Sequence, residues 1–317
     1  MKKLLIIVGP TAVGKTAVSL DIAHKFKGEI ISGDSMQVYR QMDIGTAKIK
    51  PEETQGIPHH LLDIRWPDET FNVAEFQTLA RQKISEINQR GKIPILVGGT
   101  GLYVQAVIDE YKFGSVAVDY GYRKELQEIA DAEGSAYLWQ QLHLVDPEAA
   151  DGIHPNDRRR IIRALEYFHT TNSKISANKN IDPQGSSARY QAVMIGLNME
   201  RQLLYQRIED RVDKMMEEGF LEEVEKLMVQ GYSGDLPSMQ GLGYKQLVSY
   251  LEGEVDLETA ISLIKRDTRR FAKRQLTWFR RDPRINWFMV DQYKDKQGLI
   301  EEIISFIGRT ISVSVEI

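Results

Sequence analysis

The sequence predicts an α/β protein in which helices flank a parallel β-sheet and a mainly helical lobe is inserted into the chain. Three observations support this. Short apolar runs alternate with helical patterns, a glycine-rich loop follows the first run, and the composition changes between residues 111 and 187. The run at 4–8 has no polar alternation, which is typical of a strand buried on both faces. Strands that alternate with helices form parallel sheets with right-handed crossovers.

The elements follow in order from these patterns. We predict strands at residues 4–8, 29–32, 93–97 and 192–197. Helical spacing predicts helices at 16–26, 71–88, 201–218, 221–230, 244–251 and 257–280, and two in the lobe at 131–141 and 157–170. Residues 1–110 and 188–317 then form the core with its C-terminal helices. Residues 111–187 form the inserted lobe, which ends in a loop-like run at 170–189.

Residues 9–16 read Gly-Pro-Thr-Ala-Val-Gly-Lys-Thr and match the phosphate-binding pattern G-x-x-x-x-G-K-[ST] between a strand and a helix. The glycines allow backbone N–H groups to face phosphate oxygens, and the positive end of the helix points at them. A chance match in a glycine-containing turn would not have this setting. The fold class is therefore P-loop NTPase-like. The predicted diphosphate-binding residues are Gly9, Pro10, Thr11, Ala12, Val13, Gly14, Lys15 and Thr16, with Thr16 as the Mg²⁺ ligand.

A P-loop enzyme that hydrolyses or transfers phosphate usually holds Mg²⁺ with an aspartate at the end of an apolar strand. The strand at 93–97 ends instead in Gly98-Gly99-Thr100, and the carboxylate at a strand end is Asp34. Asp34 can ligate metal, act as a general base or cap a turn. Its place beside Gly33 at a strand end favours a functional role.

The composition excludes several classes of protein. The apolar and charged fractions, 42% and 27%, are typical of a soluble globular protein, and the formal net charge is −4. The chain has no cysteine, which fits a reducing cytoplasm. No apolar run is long enough for a membrane span, and the five apolar residues at 4–8 are too few for a signal peptide. Nothing in the sequence demands a partner subunit, so we expect a monomer.

Positive charge is concentrated in two places. Residues 265–284 contain nine Lys or Arg and two Asp, and Arg270 and Arg274 lie four residues apart on one predicted helix. A second helix carries Arg158, Arg159, Arg160 and Arg163. Such rows suit the phosphates of an RNA backbone. The alternative is a solvated charged helix, but that would usually contain interspersed acids.

The sequence resembles the tRNA dimethylallyltransferase family over almost its whole length. Beyond the loop at 9–16, the matching motifs are G-D-S-M-Q-V-Y at 33–39, M-D-I-G-T-A-K at 42–48, P-H-H-L-L-D at 58–63, V-G-G-T-G-L-Y at 97–103, H-P-N-D-R-R-R-I-I-R-A-L-E at 154–166, M-Q-G-L-G-Y-K-Q at 239–246 and T-R-R-F-A-K-R-Q-L-T-W-F-R at 268–280.

The resemblance implies transfer of a dimethylallyl group from dimethylallyl diphosphate to N6 of adenosine 37, next to the tRNA anticodon. The P-loop would then hold a pyrophosphate leaving group, and the target nucleotide would be flipped out to reach it. The implied catalytic residues are Asp34 as the base, with Lys15, Thr16 and its Mg²⁺, and Arg211 at the diphosphate. Thr11 would also contact the diphosphate. The implied tRNA-binding residues are Asp34, Ser35, Met36, Gln37, Thr100, Arg158, Arg159, Arg160, Ile161, Ile162, Arg163, Arg270 and Arg274, and the partner is the tRNA anticodon stem-loop.

Three other functions stay open from the residues alone. An adenylate isopentenyltransferase would prenylate a free nucleotide, a P-loop kinase would phosphorylate a small metabolite, and an RNA-binding module would use the P-loop only structurally. The adjacent His59 and His60 suggest a structural or tRNA-facing role rather than zinc, because neighbours in an extended chain point apart.

Overall fold

The computed structural model describes residues 1–109, 119–179 and 189–310. The chain divides into a first unit, Met1–Ile108 with Ala188–Ile317, and a second unit, Asp109–Ser187. Residues 180–188 of the predicted loop-like run at 170–189 lie outside the described residues, as do the predicted boundaries at 110 and 111 and at 187 and 188.

In the first unit the described residues form one six-stranded sheet, and all its strand pairs are parallel. The strands are β1 Lys2–Val8, β2 Gly28–Ser32, β3 His59–His60, β4 Ile93–Gly98, β5 Tyr190–Asn198 and β6 Ile285–Met289, in the order β3-β2-β4-β1-β5-β6. The four predicted strands are confirmed. The sequence patterns missed the two edge strands, because β3 has only two residues and β6 contains a polar residue in a short run.

Helices account for most of the remaining described residues. The first unit contains α1 Lys15–Phe26, α2 Val73–Gln89, α3 Gly101–Ile108, α8 Arg201–Glu217, α9 Phe220–Val229, α10 Tyr244–Leu251, α11 Leu257–Phe279 and α12 Lys296–Thr310. The second contains α4 Tyr120–Glu133, α5 Ser135–Val145, α6 Pro147–Asp151 and α7 Arg158–Thr171. The predicted helix at 131–141 is wrong. Gly134 has φ 86 and separates α4 from α5, a backbone conformation that no helix interior adopts.

The strand β1 lies at the centre of the first unit and is buried on both faces. Leu5 and Ile7 pack into one apolar layer, which includes residues of α1, α8 and α12. Leu4 and Ile6 pack into the opposite layer, which includes residues of α2 and α3. The continuous apolar run at 4–8 therefore reflects burial from two sides, as expected for a parallel sheet covered by helices.

The ends of three neighbouring strands meet at one edge of the sheet. Val8 lies opposite Gly98 in the register of β1 and β4, and Ser32 lies opposite Val97 in that of β2 and β4. The Gly33 N–H donates a hydrogen bond to the Val97 carbonyl at 2.7 Å. The segments that follow β1, β2 and β4 thus start at the same level, which is where ligands of open α/β sheets bind.

The second unit is helical and has an apolar core of its own, which includes Leu126, Leu138, Leu142, Ile161 and Leu165. Among the residues with described structure, no helix in either unit has the length and apolar character needed to cross a membrane.

A buried carboxylate connects the edge of the sheet to α2 and β4. Glu29 on β2 is 3% exposed. It accepts hydrogen bonds from His60 and Arg90, each at 2.7 Å, and forms an ion pair with Lys92 at 3.0 Å. His59 bonds the Ile57 carbonyl instead. Over residues 1–109, 119–179 and 189–310, no group of three His, Cys, Asp or Glu could hold a metal ion.

Glu29→Gln is expected to destabilise the protein. Burial alone would raise the pKa of Glu29, but the hydrogen bonds from His60, Lys92 and Arg90 outweigh it and lower the pKa from 4.5 to about 2. This stabilisation is present above about pH 4.5 and is lost as the pH falls through 2. The lowering of the Glu29 pKa from 4.5 to about 2 corresponds to about 3 kcal/mol in the free energy of unfolding at neutral pH. Glu29→Gln is expected to lose about this much stability.

Urea unfolding at pH 7 measures this loss. The control is Glu225→Gln, which alters an exposed carboxylate on α9 and should change stability by less than about 0.5 kcal/mol. Equal effects of the two variants would show that the buried ion pairs do not stabilise the fold.

Candidate active site

The loop between β1 and α1 has the geometry of an anion-binding turn. Gly14 is the N-cap of α1 with φ 103, a left-handed conformation that favours glycine. No side chain caps this end of the helix, so the first-turn N–H groups have no side-chain acceptor. Pro10 and Val13 are buried, and these two side chains anchor the loop on the core.

Lys15 lies over this loop. Its Nζ donates to the carbonyls of Gly9 at 3.0 Å and Pro10 at 2.8 Å. The pKa of Lys15 is lowered from 10.5 to about 7. Burial is the main cause, the positive charge of Arg211 contributes in the same direction, and the carboxylate of Asp34 opposes both. The ammonium is thus held where a bound anion would stabilise its charge.

Arg211 is the second cation of the site. It lies on α8 between the buried residues Ile208 and Val212 and is itself partly buried. Burial lowers the pKa of Arg211, and the charge of Asp34 opposes this shift. Within the described part of the chain, no carboxylate forms an ion pair with it. The residues three and four positions away on the helix are not acidic: they are Arg207, Ile208, Lys214 and Met215. Two cations near one carboxylate leave the site positive.

Asp34 follows β2 at the same edge. Its Oδ1 accepts hydrogen bonds from the N–H groups of Met36 at 2.8 Å and Gln37 at 3.4 Å. The described residues provide no hydrogen-bond donor to its Oδ2. The turn-capping role and a role as base are therefore compatible, because each uses a different oxygen.

Gln37, predicted to contact tRNA, is partly exposed and also forms hydrogen bonds within the protein. Its Oε1 accepts a hydrogen bond from the Ser32 hydroxyl at 2.9 Å, and its Nε2 donates to the carbonyls of Thr46 at 3.1 Å and Ala47 at 3.3 Å. The side chain thus connects β2 to the segment at 46–47. Ser35 and Met36 are partly exposed beside it.

Thr11 is predicted to contact the diphosphate and Thr100 to contact tRNA. Backbone hydrogen bonds already occupy some of the polar groups of both residues. The Thr11 N–H donates to Oε1 of Gln275 at 2.9 Å, so the hydroxyl of Thr11 is the group left for a ligand. The Thr100 carbonyl accepts hydrogen bonds from the N–H groups of Tyr103 and Val104, at the start of α3. Sequence reasoning missed Gln275. The available signal was a lone amide on the apolar face of α11, whose buried residues include Ile264, Ala272 and Phe279.

The residues present fit a magnesium ion that is bound together with phosphate. Mg²⁺ usually retains several waters and takes one or two protein ligands plus phosphate oxygens. The Thr16 side chain is exposed at the start of α1, whereas the described residues contain no three-ligand cluster that could hold the ion alone. Thr16 and the phosphates of a ligand would therefore hold it.

The basic face of α11 is partly neutralised. Arg266 and Arg270 both pair with Asp267, at 2.9 and 3.4 Å, and Arg269 pairs with Glu209 of α8. Besides the acids within the stretch 265–284, α8 therefore supplies acids that lie far away in sequence. Arg274 instead lies over the Phe271 ring, 5.8 Å from its centroid.

The arginines of α7 also have partners within the second unit. The ion pairs are Arg158 with Asp131 at 2.7 Å, Arg160 with Asp157 at 3.4 Å and Arg163 with Glu166 at 2.9 Å. Arg159 is exposed. Ile161 and Ile162 are 0% and 7% exposed. The prediction that these two contact tRNA is corrected, because their side chains pack in the core of the unit.

Comparison with known proteins gives consistent matches over nearly the whole chain. A family model described as IPP transferase matches residues 37–282. A tRNA dimethylallyltransferase of Carboxydothermus hydrogenoformans is 56% identical over 308 residues, which are 97% of this chain and 98% of the relative. A solved tRNA isopentenylpyrophosphate transferase of Bacillus halodurans is 50% identical with a TM-score of 0.74, covering 98% of this chain and 97% of that one. A solved eukaryotic dimethylallyltransferase acting on tRNA is 31% identical with a TM-score of 0.79, covering 98% and 80%.

Binding of inorganic pyrophosphate is expected to take up a proton at Lys15. In the ligand-free protein Lys15 has a pKa of about 7. A bound anion favours the charged form of Lys15, so the pKa of Lys15 is higher in the complex. Above pH 7 the lysine contribution to affinity therefore weakens by up to about tenfold per pH unit, until the bound pKa is reached.

Calorimetry in two buffers of different ionisation heat, between about pH 7 and 9, measures this proton uptake. Lys15→Arg keeps a positive charge that does not titrate in this range. Proton uptake by the variant therefore measures the protonation of pyrophosphate itself and serves as the reference. The parent protein should take up more protons than the variant, by up to about one. Equal uptake by both proteins would rule out Lys15 as the titrating group.

Proposed function

The chain belongs to the IPP transferase family of tRNA dimethylallyltransferases, and we propose that it transfers a dimethylallyl group from dimethylallyl diphosphate to N6 of adenosine 37 beside the tRNA anticodon. Its relatives are named for this transfer or for action on tRNA. The observation that carries the chemical part of the proposal is the meeting of Lys15, Arg211 and Asp34 at one edge of the sheet.

The two cations suit the leaving group. As the bond between C1 of the dimethylallyl group and its phosphate oxygen breaks, negative charge accumulates on the departing pyrophosphate. Lys15 and Arg211, together with the uncapped first-turn N–H groups of α1, stabilise that charge. A magnesium ion held by Thr16 and the phosphates would supply further positive charge to the same oxygens.

The carboxylate suits the acceptor. Adenine N6 is a weak nucleophile, because its lone pair is delocalised into the ring, and it must lose a proton when the new C–N bond forms. Asp34 Oδ2 accepts that proton, while Oδ1 stays bonded to the N–H groups of the 36–37 turn and fixes the carboxylate. Proton acceptance by Asp34 and leaving-group stabilisation by Lys15 and Arg211 thus use different side chains of the same site.

Exposed arginines support RNA as the acceptor rather than a free nucleotide or a small metabolite. On α11, Arg270 and Arg274 are exposed, and on α7 of the second unit Arg159 and Arg160 are exposed. The acids that pair with some of these residues fix the orientation of the guanidinium groups, which leaves other N–H donors for backbone phosphates. A kinase acting on a small metabolite would not need such faces.

Transfer of label tests the reaction. The protein is incubated with labelled dimethylallyl diphosphate and Mg²⁺, with either unmodified tRNA or AMP as the acceptor. Label in tRNA alone is the expected result. Label in AMP would favour an adenylate isopentenyltransferase. No label in either acceptor, together with phosphate transfer from ATP to a metabolite, would indicate a kinase.

Asp34→Asn is expected to lower kcat by about 100- to 10,000-fold while tRNA affinity is retained. Asparagine keeps an oxygen that can accept the Met36 N–H, so the turn survives, but the amide cannot take a proton at neutral pH. Steady-state transfer and filter binding of tRNA measure the two effects.

Asp235→Asn is the matched control, because it removes an exposed carboxylate outside the site. It should leave both quantities unchanged. If Asp34→Asn lost tRNA binding and turnover in parallel, Asp34 would be a structural residue.

A further inference from the structure

One buried amide bridges two loops of the candidate site. Gln275 on α11 is 6% exposed. Its Oε1 accepts the N–H of Thr11, in the loop after β1, at 2.9 Å, and its Nε2 donates to the carbonyl of Gly99, in the segment after β4, at 3.0 Å. The two loops come from neighbouring strands but are not consecutive in the chain, so Gln275 bonds them to each other across the edge of the sheet.

The fit at Gly99 is close. A Cβ atom at this position would overlap Nε2 of Gln275, and it would also lie 3.6 Å from the Gly9 carbonyl oxygen. Any larger residue at 99 would therefore displace the amide. The absence of a side chain at Gly99 allows α11, the loop after β1 and the segment after β4 to approach one another closely.

The chemistry of the bridge requires an amide. One loop presents a donor and the other an acceptor, and a glutamine side chain offers the complementary pair from a single planar group. A carboxylate would accept from Thr11 but could not donate to Gly99, and an aliphatic side chain would leave both backbone groups unpaired in a buried position.

We propose that Gln275 is a positioning residue that sets the distance between the diphosphate loop and the Gly99–Thr100 turn. This inference rests on the proposed function, in which the loop at Thr11 holds the leaving group and Thr100 lies on the side of the acceptor nucleotide. Transfer needs both reactants at a fixed separation, and an error of about 1 Å in such a geometry costs about 100-fold in rate.

Gln275 and the exposed arginines of α11 lie on different faces of this helix. Arg274 is the preceding residue and is exposed, whereas Gln275 points into the core. The helix that presents arginines to solvent therefore also fixes the two loops, through a side chain on its opposite face. Contact of tRNA with α11 and alignment of the diphosphate loop thus depend on the same rigid element.

The test is Gln275→Leu, which keeps the approximate volume but removes both hydrogen bonds. We expect kcat for dimethylallyl transfer to tRNA to fall about 10- to 100-fold, with KM for tRNA within about threefold of the parent value. The Thr11 amide, observed by NMR in protein labelled with 15N-threonine, should exchange faster with solvent, because its acceptor is lost.

Gln77→Leu is the matched control. Gln77 is also a buried glutamine, on α2, and donates to the Ala106 carbonyl at 2.6 Å. It should lower the melting temperature, as Gln275→Leu does, without changing kcat or the exchange of the Thr11 amide. Gln275→Glu is a further variant. It keeps the acceptor for Thr11 and loses the donor to Gly99, so it should keep the Thr11 amide protected and still lower kcat.

The outcomes separate this inference from the proposed function. A kcat of Gln275→Leu within about threefold of the parent at a temperature where both are folded would overturn the positioning role. An equal loss of kcat in Gln77→Leu would overturn it as well, because the effect would then be one of stability. If the parent itself transfers no label to tRNA, the proposed function fails. The bridge is then supported or overturned by the Thr11 amide alone.

Discussion

The register of three parallel strands is the constraint on which the candidate site depends. Because Val8 lies opposite Gly98 and Val97 opposite Ser32, the chain leaves β1, β2 and β4 at one level. The central strand β1 is held there by apolar layers on both faces, with Leu5 and Ile7 on one side and Leu4 and Ile6 on the other. A slip of one residue in any of these strands would turn its side chains to the other layer and displace its loop from the edge.

The charges collected at this edge oppose folding and favour an anionic ligand. The pKa of Lys15 is lowered to about 7 by burial and by Arg211. Between pH 7 and 10.5 the unfolded chain therefore binds more protons at this lysine than the native protein, and stability rises with pH in that window. At and below neutral pH the fold carries two cations that one carboxylate does not balance. A bound anion would offset this cost, which is the usual property of a site preorganised for an anion.

The sequence could predict those features of the fold and the site that depend on residues close together in the chain. The strand β1, the loop at 9–16 and Asp34 follow from patterns within a few residues, and the structure has the strand and loop where they were expected. The partner of Thr11 could not be predicted, because Gln275 lies 264 residues further along the chain. The acids of α8 that pair with the basic residues of α11 were missed for the same reason. The burial of Ile161 and Ile162 could have been inferred, since apolar residues on an amphipathic helix usually face its core, but the family motif outweighed that pattern.

The helix α11 presents exposed arginines on one face and a residue of the candidate site on the other. Over its 23 residues, the helical period places Ile264, Thr268, Ala272, Gln275 and Phe279 on the buried face. Arg266, Arg270 and Arg274 repeat every four residues on an exposed face. A glutamine among apolar neighbours costs burial energy unless both ends of its amide are bonded, and here they are bonded to the two loops at the edge of the sheet. Replacing it with an aliphatic residue would make the helix a more ordinary core element, but it would leave the Thr11 N–H and the Gly99 carbonyl unpaired. The polar residue is therefore best explained by what it holds in place and not by the packing of the helix.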